Sequence, residues 1–196
     1  SGRKNFYIGG IHVTQLPYNG ELSNFLLFDA ALSGPEIETL YNYGSPIRTL
    51  ANIPQNSNLK AWYKLDASEV YNSSTTEWSI DNNQNPSAYP SSLNFNPSSS
   101  DYIQINNGSS LTNGFSELTV SIWANFSGTG QQQIITKDGA TSQRSFNLRR
   151  LSNGVNFLLS TDGTSSSQTS FYPSSSITTG KWYHFVGVYD GSNVLL

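Results

Sequence analysis

Between Phe115 and Phe126 (FSELTVSIWANF) the chain alternates, with Leu118, Val120, Ile122, Ala124 and Phe126 on one side and Thr119, Ser121, Trp123 and Asn125 on the other. A period of two predicts a strand with one face in a core and the other less buried. Trp182 to Tyr189 has the same character, with both faces suited to packing. Shorter extended runs surround these two. FYIGG at 6–10 reads as a strand ending in a glycine turn, and ELSNFLLFD at 21–29 as a largely apolar strand entered from the Asn19-Gly20 turn. LKAWYKL at 59–65 places Leu59, Ala61, Tyr63 and Leu65 on one face and Trp62 on the other. Residues 102–105 and 134–137 add two more extended runs. Asn153-Gly154 closes a hairpin whose arms carry Phe146 and Leu148 against Phe157 and Leu159.

The period changes once, from Leu32. Ser33 stands three residues before Glu36, a capping-box arrangement, and Pro35 sits in the first turn, where its missing N–H costs little. Ile37, Leu40 and Tyr41 form the apolar face of the short helix this predicts, and Gly44 is its expected stop. So short a helix must dock on a sheet to persist. Weakly patterned stretches fill the rest. Residues 51–58 read as a linker, 66–92 as mostly loop around Trp78 and Ile80, and Thr164 to Ser170 as an exposed loop. The predicted class is all-β, a sandwich or a barrel, with one short helix.

Composition narrows the function more than it defines it. Among 196 residues there are 10 Lys and Arg against 13 Asp and Glu, a net charge of −3, so no basic footprint points to nucleic acid or an anionic membrane. With no cysteine, neither a disulfide framework nor a thiolate metal site exists. Only His12 and His184 could supply imidazole, so a zinc site would have to lean on carboxylates. No 18-residue apolar run predicts membrane insertion, and no signal-peptide pattern is present. The amide- and hydroxyl-rich composition over an aromatic core resembles that of extracellular β-proteins and viral structural proteins.

LKAWYKL (59–65), LNFNPSSSDYIQI (93–105), Phe115 to Phe126 and KWYHFVGVYDG (181–191) resemble successive landmarks of the laminin-G-like, pentraxin-type jelly roll of the concanavalin A-like lectin/glucanase superfamily. Tyr7 to Tyr41, with YIGG and AALSGPEIETLY, resembles the closing portion of the same family, a last strand followed by a short capped helix. The resemblance therefore implies an inverted order. Residues 1–50 correspond to closing strands and helix, 51–58 to a linker, and 59–196 to opening and central strands that 1–50 complete either in cis or from another chain. Phe6 to Gly10 reads as a strand whose predecessor is absent, and Val194 to Leu196 as one just begun. The chain is thus expected to be a fragment of tandem modules, a permuted domain, or a subunit whose strands Phe6, Tyr7, Ile8, Val194, Leu195 and Leu196 pair with a neighbour.

The candidate chemistry is that of binding. Retaining glucanases of this superfamily carry a Glu-x-Asp-x-Glu strand, and nothing here matches it; the expectation is no enzyme. Sugar binding calls for an aromatic platform flanked by amides or carboxylates. Trp78 with Asp81, Asn82 and Asn83 is one such constellation and Trp123 on the outer strand face is another, each weighed against a covered, core-like tryptophan. Trp62 and Trp182 are expected in the core. Asp101, Asp138 and Asp162 are the candidate calcium ligands, against a simple turn-supporting role; otherwise no cofactor is expected. His184 is expected to be a hydrogen-bonded structural imidazole rather than a ligand, and Arg144, Arg149 and Arg150 a solvated face, weighed against a grip on a carboxylate or a partner.

The function expected is a non-catalytic binding or structural module of a larger extracellular or virion protein, contacting glycan or protein subunits. The wording of residues 59–105 resembles jelly-roll modules of marine phage and bacterial surface proteins, which implies a tail, fibre or capsid-decoration role. Two alternatives stay open: a carbohydrate-binding accessory module of a secreted glycan-active enzyme, and a pure assembly module forming homo-oligomers by strand exchange.

Overall fold

The computed structural model describes residues 5–10, 16–65, 69–72, 77–80, 92–105, 115–137, 145–152, 154–160, 168–173 and 177–196. One sheet runs in the order β12 (Gln168–Pro173), β11 (Gly154–Leu159), β10 (Phe146–Leu151), β9 (Gln132–Lys137), β1 (Phe6–Ile8), β7 (Ile103–Ile105). The other runs β14 (Val194–Leu195), β13 (Trp182–Tyr189), β8 (Leu118–Phe126), β2 (Gly20–Phe28), β3 (Leu59–Tyr63), with β6 (Leu93–Phe95) also paired to β2. The pairings in both sheets are antiparallel. A separate two-stranded ribbon, β4 (Glu69–Asn72) with β5 (Glu77–Ile80), lies where the sequence suggests mostly loop. The architecture is the antiparallel jelly-roll β-sandwich that the family resemblance implies and the strand pattern allows.

The two sheets close on one apolar core to which both contribute. Val120, Ile122, Ala124 and Phe126 of β8 meet Phe6 and Ile8 of β1, Ile135 of β9, and Leu148 and Phe157 of the β10–β11 hairpin. That hairpin pairs Phe146 with Leu159 and Leu148 with Phe157, so its apolar positions share one face. β12 extends the sheet through Gln168, where the sequence suggests an exposed loop up to Ser170. Its pairing to β11 runs Gly154↔Pro173 to Leu159↔Gln168 and supplies the backbone partners that so polar a segment does not advertise.

The early strands lie inside the sheets. β1 is bonded on one side to β7 and on the other to β9, and Phe6, Tyr7 and Ile8 are buried. Both edges of Phe6–Ile8 are therefore taken by strands of the same chain. β2 sits between β8 on one side and β3 and β6 on the other. Within this structure, strands from residues 1–50 and from 59–196 share both sheets.

A bulge in β2 explains why both its faces are apolar. The register to β8 shifts between Ser23 and Leu26, where buried Asn24 takes a left-handed backbone (φ 52°). The Asn24 side chain accepts the Trp62 indole N–H at 2.7 Å, and its own N–H donates to Lys64 O at 2.8 Å. The inserted residue re-phases the strand. Leu22, Phe25 and Leu27 enter the main core, whereas Leu26 and Phe28 face outward into a second cluster with Leu32, Leu40, Ile47 and Ile53. Ile53, within residues 51–58, is buried in this cluster beside Ile47.

The helix α1 (Gly34–Tyr41) covers this second cluster. Glu36 accepts from the Ser33 backbone N–H at 2.8 Å and from the Ser33 hydroxyl at 2.7 Å. Those bonds hold the Glu36 carboxyl below its usual pKa. The chain leaves α1 through a left-handed run, Asn42 (φ 44°), Tyr43 (φ 55°) and Gly44 (φ 84°), one residue earlier than a glycine stop alone would place it.

Candidate binding cleft

The outward positions of β8 and β13 form the floor beneath α1. Thr119, Ser121 and Trp123 stand opposite Val188, Val186 and His184 in the β8–β13 register, so the polar half of the β8 alternation faces the helix and not solvent. Thr119 Oγ1 donates to Ala30 O at 2.7 Å and accepts from Leu32 N–H at 3.0 Å, pinning the segment that leads into α1. Glu117 accepts from Ala31 N–H at 3.1 Å beside it. These two contacts fix where the helix sits.

Three rings stack where the helix ends. Trp123 and His184 lie 4.9 Å apart at 20°, and Tyr41 lies 5.6 Å from Trp123 at 17° and 6.2 Å from His184. Ser121 Oγ and His184 Nε2 are hydrogen-bonded at 2.8 Å. Burial disfavours the charged imidazole and lowers its pKa to about 4, so His184 is neutral at pH 7. It is the structural, hydrogen-bonded imidazole expected of a strand histidine between aromatics. Trp123 is only 4% exposed, so it is no open platform; its indole N–H has no hydrogen-bond partner among the described residues.

Beside the stack opens a cleft of about 910 Å³, walled by α1 through Ile37, Glu38 and Tyr41, floored by Trp123 and His184, and bounded by Trp182 and Leu195. The volume falls in the range of roughly 300–1,000 Å³ usual for ligand sites. Six large hydrophobic side chains are exposed among the described residues, and three of them, Tyr41 (47%), Trp182 (39%) and Leu195 (58%), line this one cleft. A fourth, the fully exposed Tyr43, flanks it at the helix exit. Exposed apolar groups gathered in this way make the cleft a candidate interaction site.

Trp182 is the residue that sequence reasoning misplaced. It was expected in the core, yet it shares the outward phase of His184, Val186 and Val188 and lies at the end of β13, paired to Asn125. That phase was the signal: a strand residue two before His184 points where His184 points. Val194 and Leu196 pack against the core and Leu195 points outward, with β14 bonded to β13 through Val188↔Leu195 and Tyr189↔Val194.

The other candidates lie elsewhere. Trp78 is in β5, paired to Tyr71, while Asp81, Asn82 and Asn83 fall outside the described residues, as do Asp138, Arg144 and Asp162. Asp101 closes its own turn, accepting from Asn96 N–H at 2.9 Å. Among the described residues no three His, Asp or Glu side chains group as a metal site. Arg150 is no part of a solvated face: it is buried, donates to Gly128 O at 2.6 Å and lies 4.8 Å from the centre of the Phe126 ring. No helix among the described residues is long and apolar enough to cross a membrane.

The two antiparallel sheets form a β-sandwich, and the aromatic cleft lies on the outer face of one of them under the capped helix. The family model of the concanavalin A-like lectin/glucanases superfamily, of laminin G type, matches residues 97–196, more than half of the chain, and the protein belongs to that family. No curated protein and no solved structure matches the chain significantly.

Proposed function

We propose that this chain is a non-catalytic binding or structural module of a larger extracellular or virion protein, such as a phage tail, fibre or capsid decoration, and that it contacts glycan or protein through the α1/β13 cleft. A laminin G/concanavalin A-like domain suggests a binding module, and lectin-type domains of this kind are typically non-catalytic. The observation that carries the cleft assignment is the convergence of Tyr41, Trp182 and Leu195, exposed aromatic and aliphatic groups from three elements, around one opening. Among the described residues the carboxylates contribute no paired acid and base there. Glu36 caps α1, Glu117 holds Ala31, and Glu38 is the one acid among the described lining residues. Within the family frame the cleft is the accessible surface best built to hold a partner.

A photocrosslinking side chain at Leu195 tests this, with one at Tyr102 as control. Tyr102 is 40% exposed and packs edge-on to Tyr7 of the other sheet. Irradiation with polysaccharides and purified subunits of the parent assembly is expected to give adducts from position 195 and none from 102. Adducts from 102 alone would place the binding surface on the wrong sheet.

A further inference from the structure

We infer that the α1/β13 cleft docks a second copy of this chain, each copy inserting its Tyr43 ring into the other's cleft. The inference rests on the cleft being the module's binding surface, and it names what enters. Tyr43 is the most exposed large hydrophobic side chain among the described residues, at 100%. Its backbone is left-handed (φ 55°, ψ 34°) directly after Asn42 (φ 44°), a conformation that glycine or asparagine adopts more readily than an aromatic residue, whose Cβ crowds the carbonyl. The turn nevertheless holds it there. Asn42 N–H donates to Glu38 O, Asn42 Nδ2 to Ser45 O at 3.2 Å, and Ser45 N–H to Tyr41 O at 3.3 Å. A braced turn thus projects a ring that the fold itself leaves entirely in water.

Knob and hole lie side by side on one patch. Gly44, the residue after Tyr43, is part of the cleft wall, so the protruding ring adjoins the opening. A two-fold rotation then sets each ring opposite the other copy's cleft, the reciprocal contact that an isologous interface requires. The cleft also suits a tyrosine. Tyr41, Trp182 and Leu195 offer exposed apolar surface, and the exposed Glu38, whose side chain has no hydrogen bond among the described residues, can accept the incoming phenol O–H. The area sets the strength. With about 150–250 Å² for a whole aromatic side chain, the exposed parts of Tyr41, Tyr43 and Trp182 come to about 300–450 Å² per copy. Leu195 and the rim bring the total buried by two copies to about 1,000 Å², the lower bound of a specific interface. The dimer is therefore reversible, with a Kd on the order of micromolar or weaker.

The test is sedimentation velocity of the chain over a series from low micromolar to near-millimolar concentration. The mass is expected to rise from 21.5 kDa towards twice that value. Tyr43→Asn, which suits the left-handed backbone, is expected to weaken association about tenfold or more while the thermal midpoint of the dilute monomer stays the same or rises. Trp182→Ala is expected to weaken it by a similar factor, and Tyr102→Ser, on the other sheet, to change nothing. A mixture of Tyr43→Asn with Trp182→Ala is expected to recover part of the association, since the mixed pair keeps one intact ring and one intact cleft. A monomer at the highest concentration, a dimer that Tyr43→Asn leaves unchanged, or a mixture no stronger than either variant alone would overturn the inference. If the chain stays monomeric yet Leu195 crosslinks to a polysaccharide or another subunit, the binding-surface reading survives and self-docking alone fails. If Leu195 yields no adduct, with its own copies included, and association ignores Tyr43→Asn, both fail.

Discussion

His184 makes the stability of this domain depend on acidity in a window that opens well above the usual carboxylate range. Its side chain is stacked on Trp123, adjoins Tyr41 and is bonded to Ser121, and desolvation lowers its pKa from 6.5 to about 4. Glu38 lines the same cleft from the helix side, too exposed to offset that burial. Unfolding returns the imidazole to water and to a pKa near 6.5, so between pH 6.5 and 4 the unfolded chain binds more protons than the folded one. Stability is fully present above about 6.5 and falls as the pH drops towards 4, after which this contribution levels off. Integrating the difference gives a loss of about 2 kcal/mol at pH 5 and about 3 kcal/mol at pH 4. Those are upper figures for a side chain at the edge of a cleft. The assay is urea unfolding followed by circular dichroism at half-unit pH steps, for the native chain and for His184→Gln. The native chain should lose stability steeply across the window, and the variant should show a slope smaller by most of that amount. Equal slopes, or an NMR titration placing the His184 pKa near 6.5, would refute the burial argument.

Three further substitutions probe how the cleft is held. Thr119→Val removes the hydroxyl that serves Ala30 O and Leu32 N–H in a fully buried position, and should cost about 2–4 kcal/mol in urea unfolding, with Thr119→Ser much milder. A loss below about 0.5 kcal/mol would mean the helix is not anchored there. Gly187→Ala places a Cβ 2.5 Å from the Phe157 ring, and should cost roughly 1–3 kcal/mol, read as a lower thermal midpoint; an unchanged midpoint would contradict the sheet-to-sheet contact. Ile53→Ala should cost about 2–4 kcal/mol if residues 51–58 belong to the fold, and close to nothing if they form a solvated spacer.

Periodicity revealed the fold wherever one face of a strand is dry. β8 alternates over its whole length, and the β10–β11 register could be read from its four large apolar residues and the Asn153-Gly154 turn. The capped start of α1 was equally plain, because Ser33, Pro35 and Glu36 each meet a requirement of the first helical turn. What stayed hidden depends on tertiary partners. The bulge at Asn24 lets β2 feed two apolar clusters, and its left-handed backbone is secured by Trp62 and Lys64, far along the chain. β12 begins in a serine-rich stretch and the β4–β5 ribbon lies among Asn- and Pro-rich turns, so their strand pairing is not written in the local pattern. Of the cleft, Trp123 and the apolar face of α1 were visible one at a time. Their stacking with His184, and the outward turn of Trp182, come from the β8–β13 register and the docking of the helix.

The central claim is that ligands enter between α1 and β13. Backbone and indole chemical-shift mapping on labelled protein, during addition of the polysaccharide or protein subunit that crosslinks at Leu195, tests it most directly. The account predicts that the largest shifts fall on the Trp123 and Trp182 indoles and on the amides of Tyr41, His184 and Leu195. Shifts confined to β7, β9 and β10 of the opposite sheet, with these signals unmoved, would contradict it.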